Sequence, residues 1–230
     1  MKNIKAGVIT LSVFCLLCYK VLGQTQPDTT FKLTKKEKKQ GYTILFDGSS
    51  MDNWKGNTKE YVLEDGTITM RPIQNEGGNL YTKNTFTDFT LRFEFLLEAA
   101  GNNGLGLRHD FVEGKNGYSG MELQILDNEH PSYKDLEPGQ YHGSVYKIIP
   151  AKRGFLKPTG EWNVQEVRAK GNHIQVMLNG KMILDGDLKE ATAKLKPGSF
   201  QKAVLNESGH IAFLGHGSVV KFRNIRIKEM

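Results

Sequence analysis

The stretch Gly120-Met121-Glu122-Leu123-Gln124-Ile125 sets a carboxylate and an amide two residues apart, with Asp127 close behind. Strand side chains alternate between faces, so Met121, Leu123 and Ile125 point to a core while Glu122 and Gln124 point away from it. Three other stretches repeat the pattern. Arg108 follows Gly104-Leu105-Gly106-Leu107 on the face opposite the leucines, beside two glycines that leave room for a molecule to approach the sheet. In His142-Gly143-Ser144-Val145-Tyr146 the histidine, serine and tyrosine share one side, and His216 follows Ile211-Ala212-Phe213-Leu214-Gly215 between two glycines. Carboxylate and amide suit hydroxyl groups, tyrosine suits a pyranose face, and arginine and histidine supply charge, so the set has the chemistry of a sugar-binding surface. Antiparallel sheets carry polar residues on their solvent side in any case. The four segments together therefore carry the inference, and no single residue does.

The elements that must position these groups are almost all strands. Leu91, Phe93, Phe95 and Leu97 alternate with Arg92 and Glu94, and Ile174, Val176 and Leu178 alternate with Gln175, the period-two pattern of half-buried strands. Asp65-Gly66, Asn179-Gly180 and Asp185-Gly186 are hairpin dipeptides, and Val176-Met177-Leu178-Asn179-Gly180-Lys181-Met182-Ile183 predicts a hairpin. Apolar parity switches from Val220 and Phe222 to Ile225 and Ile227, which predicts a bulge at Arg223 and Asn224. Thr34-Lys35-Lys36-Glu37 has capping-box spacing for one short helix, its lysines forming a solvated face. Many short strands, 25 glycines and no long helical pattern predict an all-β fold, a two-sheet jelly-roll β-sandwich in a single domain.

The N-terminus, Met1-Lys2-Asn3-Ile4-Lys5 followed by an apolar run and Val21-Leu22-Gly23, reads as a secretory signal peptide over residues 1–23. A polar leader over 24–33 precedes the domain at 34–230. The apolar run is shorter than the roughly 20 residues of a membrane span, so the expectation is a soluble protein exported across the inner membrane, most simply to the periplasm. Both cysteines, Cys15 and Cys18, fall within the signal. The processed chain then holds no disulfide, thiolate nucleophile or cysteine-ligated metal. The formal charge of +6, less the three lysines Lys2, Lys5 and Lys20, becomes +3. That mild excess, without a basic stripe interleaved with aromatics, argues against nucleic acid as a partner.

Six motifs in order give a more specific reading: Gly41-Tyr42-Thr43-Ile44-Leu45-Phe46-Asp47-Gly48 with Trp54, Leu105-Gly106-Leu107-Arg108, Glu122-Leu123-Gln124-Ile125-Leu126-Asp127, Gly160-Glu161-Trp162-Asn163, Leu178-Asn179-Gly180 and Phe222-Arg223-Asn224-Ile225-Arg226-Ile227. Together they resemble the bacterial 3-keto-disaccharide hydrolase domain, a concanavalin A-like family long called a domain of unknown function. The resemblance implies a secreted enzyme acting on glycosides already oxidised at C3 by a separate sugar oxidoreductase. A ketone at C3 acidifies the C2 proton. A base removes it, an enolate forms, the group on C1 leaves by β-elimination, and water adds to the product.

Such a site needs a base near neutral pKa, a stabiliser for the enolate oxygen and a proton donor for the leaving group. His142 or His216 suits the base, with Glu122 next, and Arg108 suits the enolate oxygen. Tyr146 or Glu122 suits the leaving group, while Gln124, Asp127, Asn163 and Ser144 suit sugar hydroxyls. No compact metal-ligand spacing is present, so no cofactor is expected, although a divalent ion on the His and carboxylate positions could serve the enolate. No dinucleotide fingerprint appears, so the C3 oxidation falls to another protein. Nothing in the sequence fixes an oligomeric state.

Three rival readings differ in class, one of them a structural or surface-assembly protein with no small ligand. Glu122, Gln124 and Asp127 also resemble the E-x-D-x-x-E run of jelly-roll glycosidases of glycoside hydrolase family 16, with Gln124 in place of the middle acid. Two carboxylates would cleave an unoxidised glycan, provided a bulge brings Asp127 round to the face of Glu122. A non-catalytic glycan-binding module would use the same face without turnover.

Overall fold

The computed structural model describes residues 30–74, 76–111, 113 and 119–230. The expected signal peptide and most of the leader lie outside the described residues. In chain order the described elements are α1 (Lys35–Lys39), β1 (Thr43–Phe46), β2 (Trp54–Gly56), β3 (Tyr61–Glu64), β4 (Thr67–Met70), β5 (Asn79–Phe86), β6 (Phe89–Leu97) and β7 (Asn102–His109). There follow β8 (Met121–Leu126), β9 (Trp162–Lys170), β10 (His173–Leu178), β11 (Lys181–Asp187), α2 (Leu188–Ala193), β12 (Gly209–Gly215) and β13 (Val220–Glu229). The all-β expectation holds.

The strands form two antiparallel sheets. One runs β11-β10-β9-β6-β13-β4-β3 with β1 also on β13, and the other runs β2-β5-β12-β7-β8. Their inner faces supply one core, with Phe93, Phe95 and Phe222 from the larger sheet meeting Trp54, Leu105, Leu123 and Phe213 from the smaller. The rings of Phe213 and Phe222 stack across the interface at 3.8 Å and 15°. Aromatic side chains bury large areas and order a sandwich through such contacts. Among the described residues no helix is long and apolar enough to cross a membrane.

Most local signals behaved as their chemistry requires, but Asp185-Gly186 forms no hairpin turn: both residues lie inside β11, paired with Gln175 and Ile174 of β10, where the sheet ladder overrides the local turn preference. Asn179 (φ 50) and Gly180 (φ 80) take the left-handed conformations of a type I′ turn, and β10 pairs with β11 across it. The bulge expected at Arg223 and Asn224 is present as a register shift between β13 and β6, with Asn224 at φ 54. Thr34 and Glu37 form the capping box of α1. Glu37 is buried, however, and its carboxylate accepts from Arg226 Nε at 2.7 Å, which ties the short helix to β13. Residues ahead of it also lie on the domain: the Phe31 amide donates to the Asp47 carbonyl at 2.8 Å.

Candidate active site on the five-stranded sheet

Backbone pairing sets out the outer face of the smaller sheet in rows. Glu122 on β8 faces Gly106 on β7, which faces Ala212 on β12 and then Tyr81 on β5. In the next row Gln124 faces Gly104, then Leu214, then Asn79. The glycines of β7 leave a shallow floor, and Glu122 leans across it. A methyl group built on Gly104 would lie 2.1 Å from Glu122 Oε1, so the acid occupies the space a side chain would take.

His216, just beyond β12, places Nε2 3.2 Å from Glu122 Oε1. The acid side chain is 5% exposed and the imidazole 28%. A carboxylate can only accept here, so the contact calls for the proton on Nε2 and fixes the orientation of the ring. Tyr146 stands on the other side of Glu122, its amide donating to the Glu122 carbonyl at 3.0 Å. Its phenol oxygen accepts from Gln140 Nε2 at 3.1 Å, which leaves the phenolic proton available. Glu122, Tyr146, Lys147 and Phe200 are among the residues lining a cleft of about 220 Å³. Gln124 stays on the outer face, held by its amide to Asn102 Oδ1 at 3.1 Å.

The structure does not bring the other expected residues to this place. Arg108 sits at φ 54, and two β7 residues, Leu107 and Arg108, oppose the single residue Ile211 of β12 in a bulge. The bulge reverses the alternation that would have aimed Arg108 outward. Its guanidinium instead donates to the carbonyls of Thr87 at 2.8 Å and Gly171 at 2.7 Å, and to Asp88 at 3.1 Å. His142 precedes a left-handed Gly143 (φ 81), so His142, Ser144 and Tyr146 do not share a strand face. The His142 ring turns into the core, stacked on Phe95 at 5.1 Å, with its Nδ1 accepting from the Leu126 amide. Ser144 Oγ accepts from the Ala151 amide at 3.0 Å and donates to the Pro138 carbonyl. Asn163 lies on β9 of the other sheet, its Oδ1 accepting from Lys157 N and Asn179 Nδ2.

Asp127 also stays away. The pairing of β7 with β8 runs from Met121 to Leu126 without a register shift, so the bulge that a family 16 arrangement requires is absent there. The Asp127 carboxylate accepts from the Ala100 amide at 3.1 Å and fixes the turn before β7.

The same bulge that removes Arg108 delivers a residue that uninterrupted alternation would send to the core, and that the sequence reading did not single out. The His109 ring covers Gly106 and Gly120, its Cδ2 lying 2.8 Å and 2.3 Å from the positions their missing methyl groups would take. Its Nε2 lies 3.2 Å from the Met121 carbonyl, and its Nδ1 has no partner among the described residues. Burial pushes its pKa down to about 4, so at neutral pH Nε2 carries the proton and donates. The signal that could have found it is glycine on β7 and immediately before β8, Gly106 and Gly120, a hollow one ring wide. Lys147 is a second residue the sequence reading missed, because it follows a loop turn that carries no strand pattern. As for metals, Glu122 and His216 offer two donors, and among the described residues no group of three or more His, Cys, Asp or Glu side chains stands together.

Burial holds His142 at about 4 as well, against an ordinary value near 6.5. A histidine depressed by burial favours the folded state fully above pH 6.5. The unfolded chain then takes up a proton that the folded one refuses, and stability falls as pH drops from 6.5 to about 4. We expect the melting temperature of His142→Asn to decline less steeply than wild type between pH 7 and pH 4. Equal slopes in differential scanning calorimetry would show that His142 is not the buried neutral ring described.

Known proteins share this architecture. The chain is 30% identical over 228 residues, spanning 83% of its own length and 79% of the relative, to a protein of Bacteroides thetaiotaomicron named 3-keto-disaccharide hydrolase. A crystal structure from Parabacteroides distasonis, titled a candidate glycosyl hydrolase, superposes with a TM-score of 0.75 at 26% identity, covering 86% of this chain and 98% of that one. A Bacillus subtilis protein with a galectin-like fold superposes at 0.55 with 14% identity over 82% of this chain and 94% of its own, which speaks to the fold alone. The family model described as the 3-keto-alpha-glucoside-1,2-lyase-like domain matches residues 41–228, and the chain belongs to that family.

Proposed function

We propose that this protein is a carbohydrate-active enzyme that opens the glycosidic bond of 3-keto-glycosides by elimination followed by hydration. The observation that carries the reading is the pair of Glu122 and His216 at 3.2 Å over a glycine floor, with Tyr146 lining a cleft that Glu122 also lines. Kinship with a relative named 3-keto-disaccharide hydrolase supports the substrate class.

His216 Nδ1 removes the C2 proton, and the electron pair moves into the enolate of the C3 ketone. Glu122, fixed and largely out of water, stabilises the imidazolium as it forms. The C1–O bond then breaks, with the phenolic proton of Tyr146 passing to the leaving oxygen. Water adds across the resulting C1=C2 bond and completes the hydrolysis. Lys147 supplies positive charge at the same cleft for the enolate oxygen, a role in which it replaces Arg108. The substrate is made by a separate sugar C3-oxidoreductase, and the signal-peptide pattern over residues 1–23 supports a periplasmic site for the elimination.

The test is release of the leaving group from a 3-keto-glucoside and from its unoxidised parent. Release from the keto form alone, slowed by deuterium at C2 and reduced at least a hundredfold in His216→Ala, is the expected result. Cleavage of the parent would replace the elimination with direct glycoside hydrolysis. Sugar binding without any turnover would make the domain a glycan-binding module.

A further inference from the structure

The cleft that Glu122 and Tyr146 line has a wall that the elimination steps do not use. Three stretches meet there: the start of β8 with Glu122, the loop through Tyr146 and Ile148, and the segment that carries Phe200 and Val204. Ile148 and Val204 pack against the main core and also border the cleft, so this wall is fixed. Phe200 is half-buried, and among the described residues its ring meets no other ring and no cation. An aromatic side chain that borders a cleft without a partner is free to cover an apolar ligand.

The polar groups at the cleft are committed or wet. Glu122 Oε1 lies 3.2 Å from His216 Nε2, the Tyr146 oxygen accepts from Gln140 at 3.1 Å, and Ser199 and Gln201 are exposed. A hexose here would press hydroxyls against Phe200, Ile148 and Val204, and a hydroxyl taken from water without a partner costs free energy. An apolar ring loses nothing and gains by leaving water. The cleft of about 220 Å³ is smaller than pockets that hold whole small ligands, roughly 300 to 1,000 Å³, so it suits one ring attached to a group bound elsewhere.

Glu122 ties the cleft to the reacting end. Its Oε1 leans over Gly104, while its side chain also lines the cleft. A group bonded to a sugar ring on the glycine floor enters the cleft past Glu122 and meets Tyr146. We propose that the leaving group of the substrate is an apolar alcohol of one ring, aryl or alicyclic, held against Phe200 and Val204. The inference rests on the elimination reading, in which Tyr146 protonates the leaving oxygen. Phe200 is then a residue that sets specificity.

The experiment compares cyclohexyl α-glucoside, methyl α-glucoside and an α-linked diglucoside, each oxidised at C3 of the non-reducing ring, as substrates of wild type, Phe200→Ala and Val204→Asn. All three leaving groups are simple alcohols, so they differ in apolar area more than in their need for a proton. Wild type is expected to favour cyclohexyl over methyl by about tenfold or more in kcat/KM, a factor within reach of one buried apolar ring. The diglucoside should gain no such advantage, and both variants should lose the cyclohexyl preference through KM. No cyclohexyl preference in wild type, a diglucoside preferred over it, or a preference untouched in both variants overturns the proposal. Titration with unoxidised cyclohexyl α-glucoside, followed at the methyl signals of Ile148 and Val204 by NMR, separates its fate from that of the reaction. If no keto substrate turns over, shifts of those signals that weaken in Phe200→Ala still support the apolar cleft, and signals that stay in place overturn it.

Discussion

Placing a methyl group on Gly104 is expected to remove most of the activity while leaving the fold intact. Gly104 has an ordinary strand conformation, so alanine brings no backbone strain, and its methyl would meet Glu122 Oε1 at 2.1 Å, Cδ at 2.9 Å and Cγ at 3.0 Å. All three belong to the outer part of one flexible side chain on the outer face of the sheet, so that side chain must swing away. Moving costs it the contact with His216 at 3.2 Å. A displacement of about 1 Å in a catalytic pair can cost roughly a hundredfold, and release of the leaving group from a 3-keto-glucoside by Gly104→Ala should fall by that much or more. Its unfolding free energy should stay within about 1 kcal/mol of wild type. Glu122→Gln, which keeps the shape and removes the charge, should lose a comparable factor, in the range of about 10² to 10⁴ set by general acid–base groups. Full activity in Gly104→Ala would mean that the position of the Glu122 carboxylate does not matter to the reaction.

Replacing Arg108 should do the opposite, damaging stability and sparing turnover. The guanidinium spends its donors on Thr87 O, Gly171 O and Asp88 Oδ1, joining the turn before β6 and the turn after β9 to the bulged end of β7. It is 5% exposed. Arg108→Leu leaves the carbonyls of Thr87, Gly171 and Asn206 and the Asp88 carboxylate without this partner, a loss of about 3 kcal/mol by analogy with broken buried pairs. For a chain of this size the corresponding fall in Tm is roughly 6 to 12 °C. Arg108→Lys should recover only part of it, since an ammonium cannot match the fork of a guanidinium. Turnover per folded molecule, measured well below Tm, should remain within about twofold. Lost turnover with an unchanged Tm would return Arg108 to the active site.

The contrast between these two positions shows how far the sequence reaches. Alternation predicts the face of Glu122 and Gln124 because β8 pairs with β7 without interruption, and the hairpin at Asn179-Gly180 and the bulge at Asn224 carry their own local signals. Alternation fails at Arg108 and at His142 for one reason. A single left-handed residue, Arg108 itself at φ 54 or Gly143 at φ 81, turns the chain and reverses every face beyond it. A glycine warns of such a turn, but an arginine does not.

The sequence by itself determined the two-sheet β architecture, the family and the placing of Glu122 on an outward face, because those follow from periodicity and from motifs local to one stretch of chain. Tertiary structure decided which histidine meets that acid. His216 is brought to Glu122 from 94 residues away, while His142 is stacked on Phe95 and His109 is laid over Gly106 and Gly120. Contacts at that separation depend on strand order and register, and those are settled by packing both sheets over one core rather than by any short run of residues.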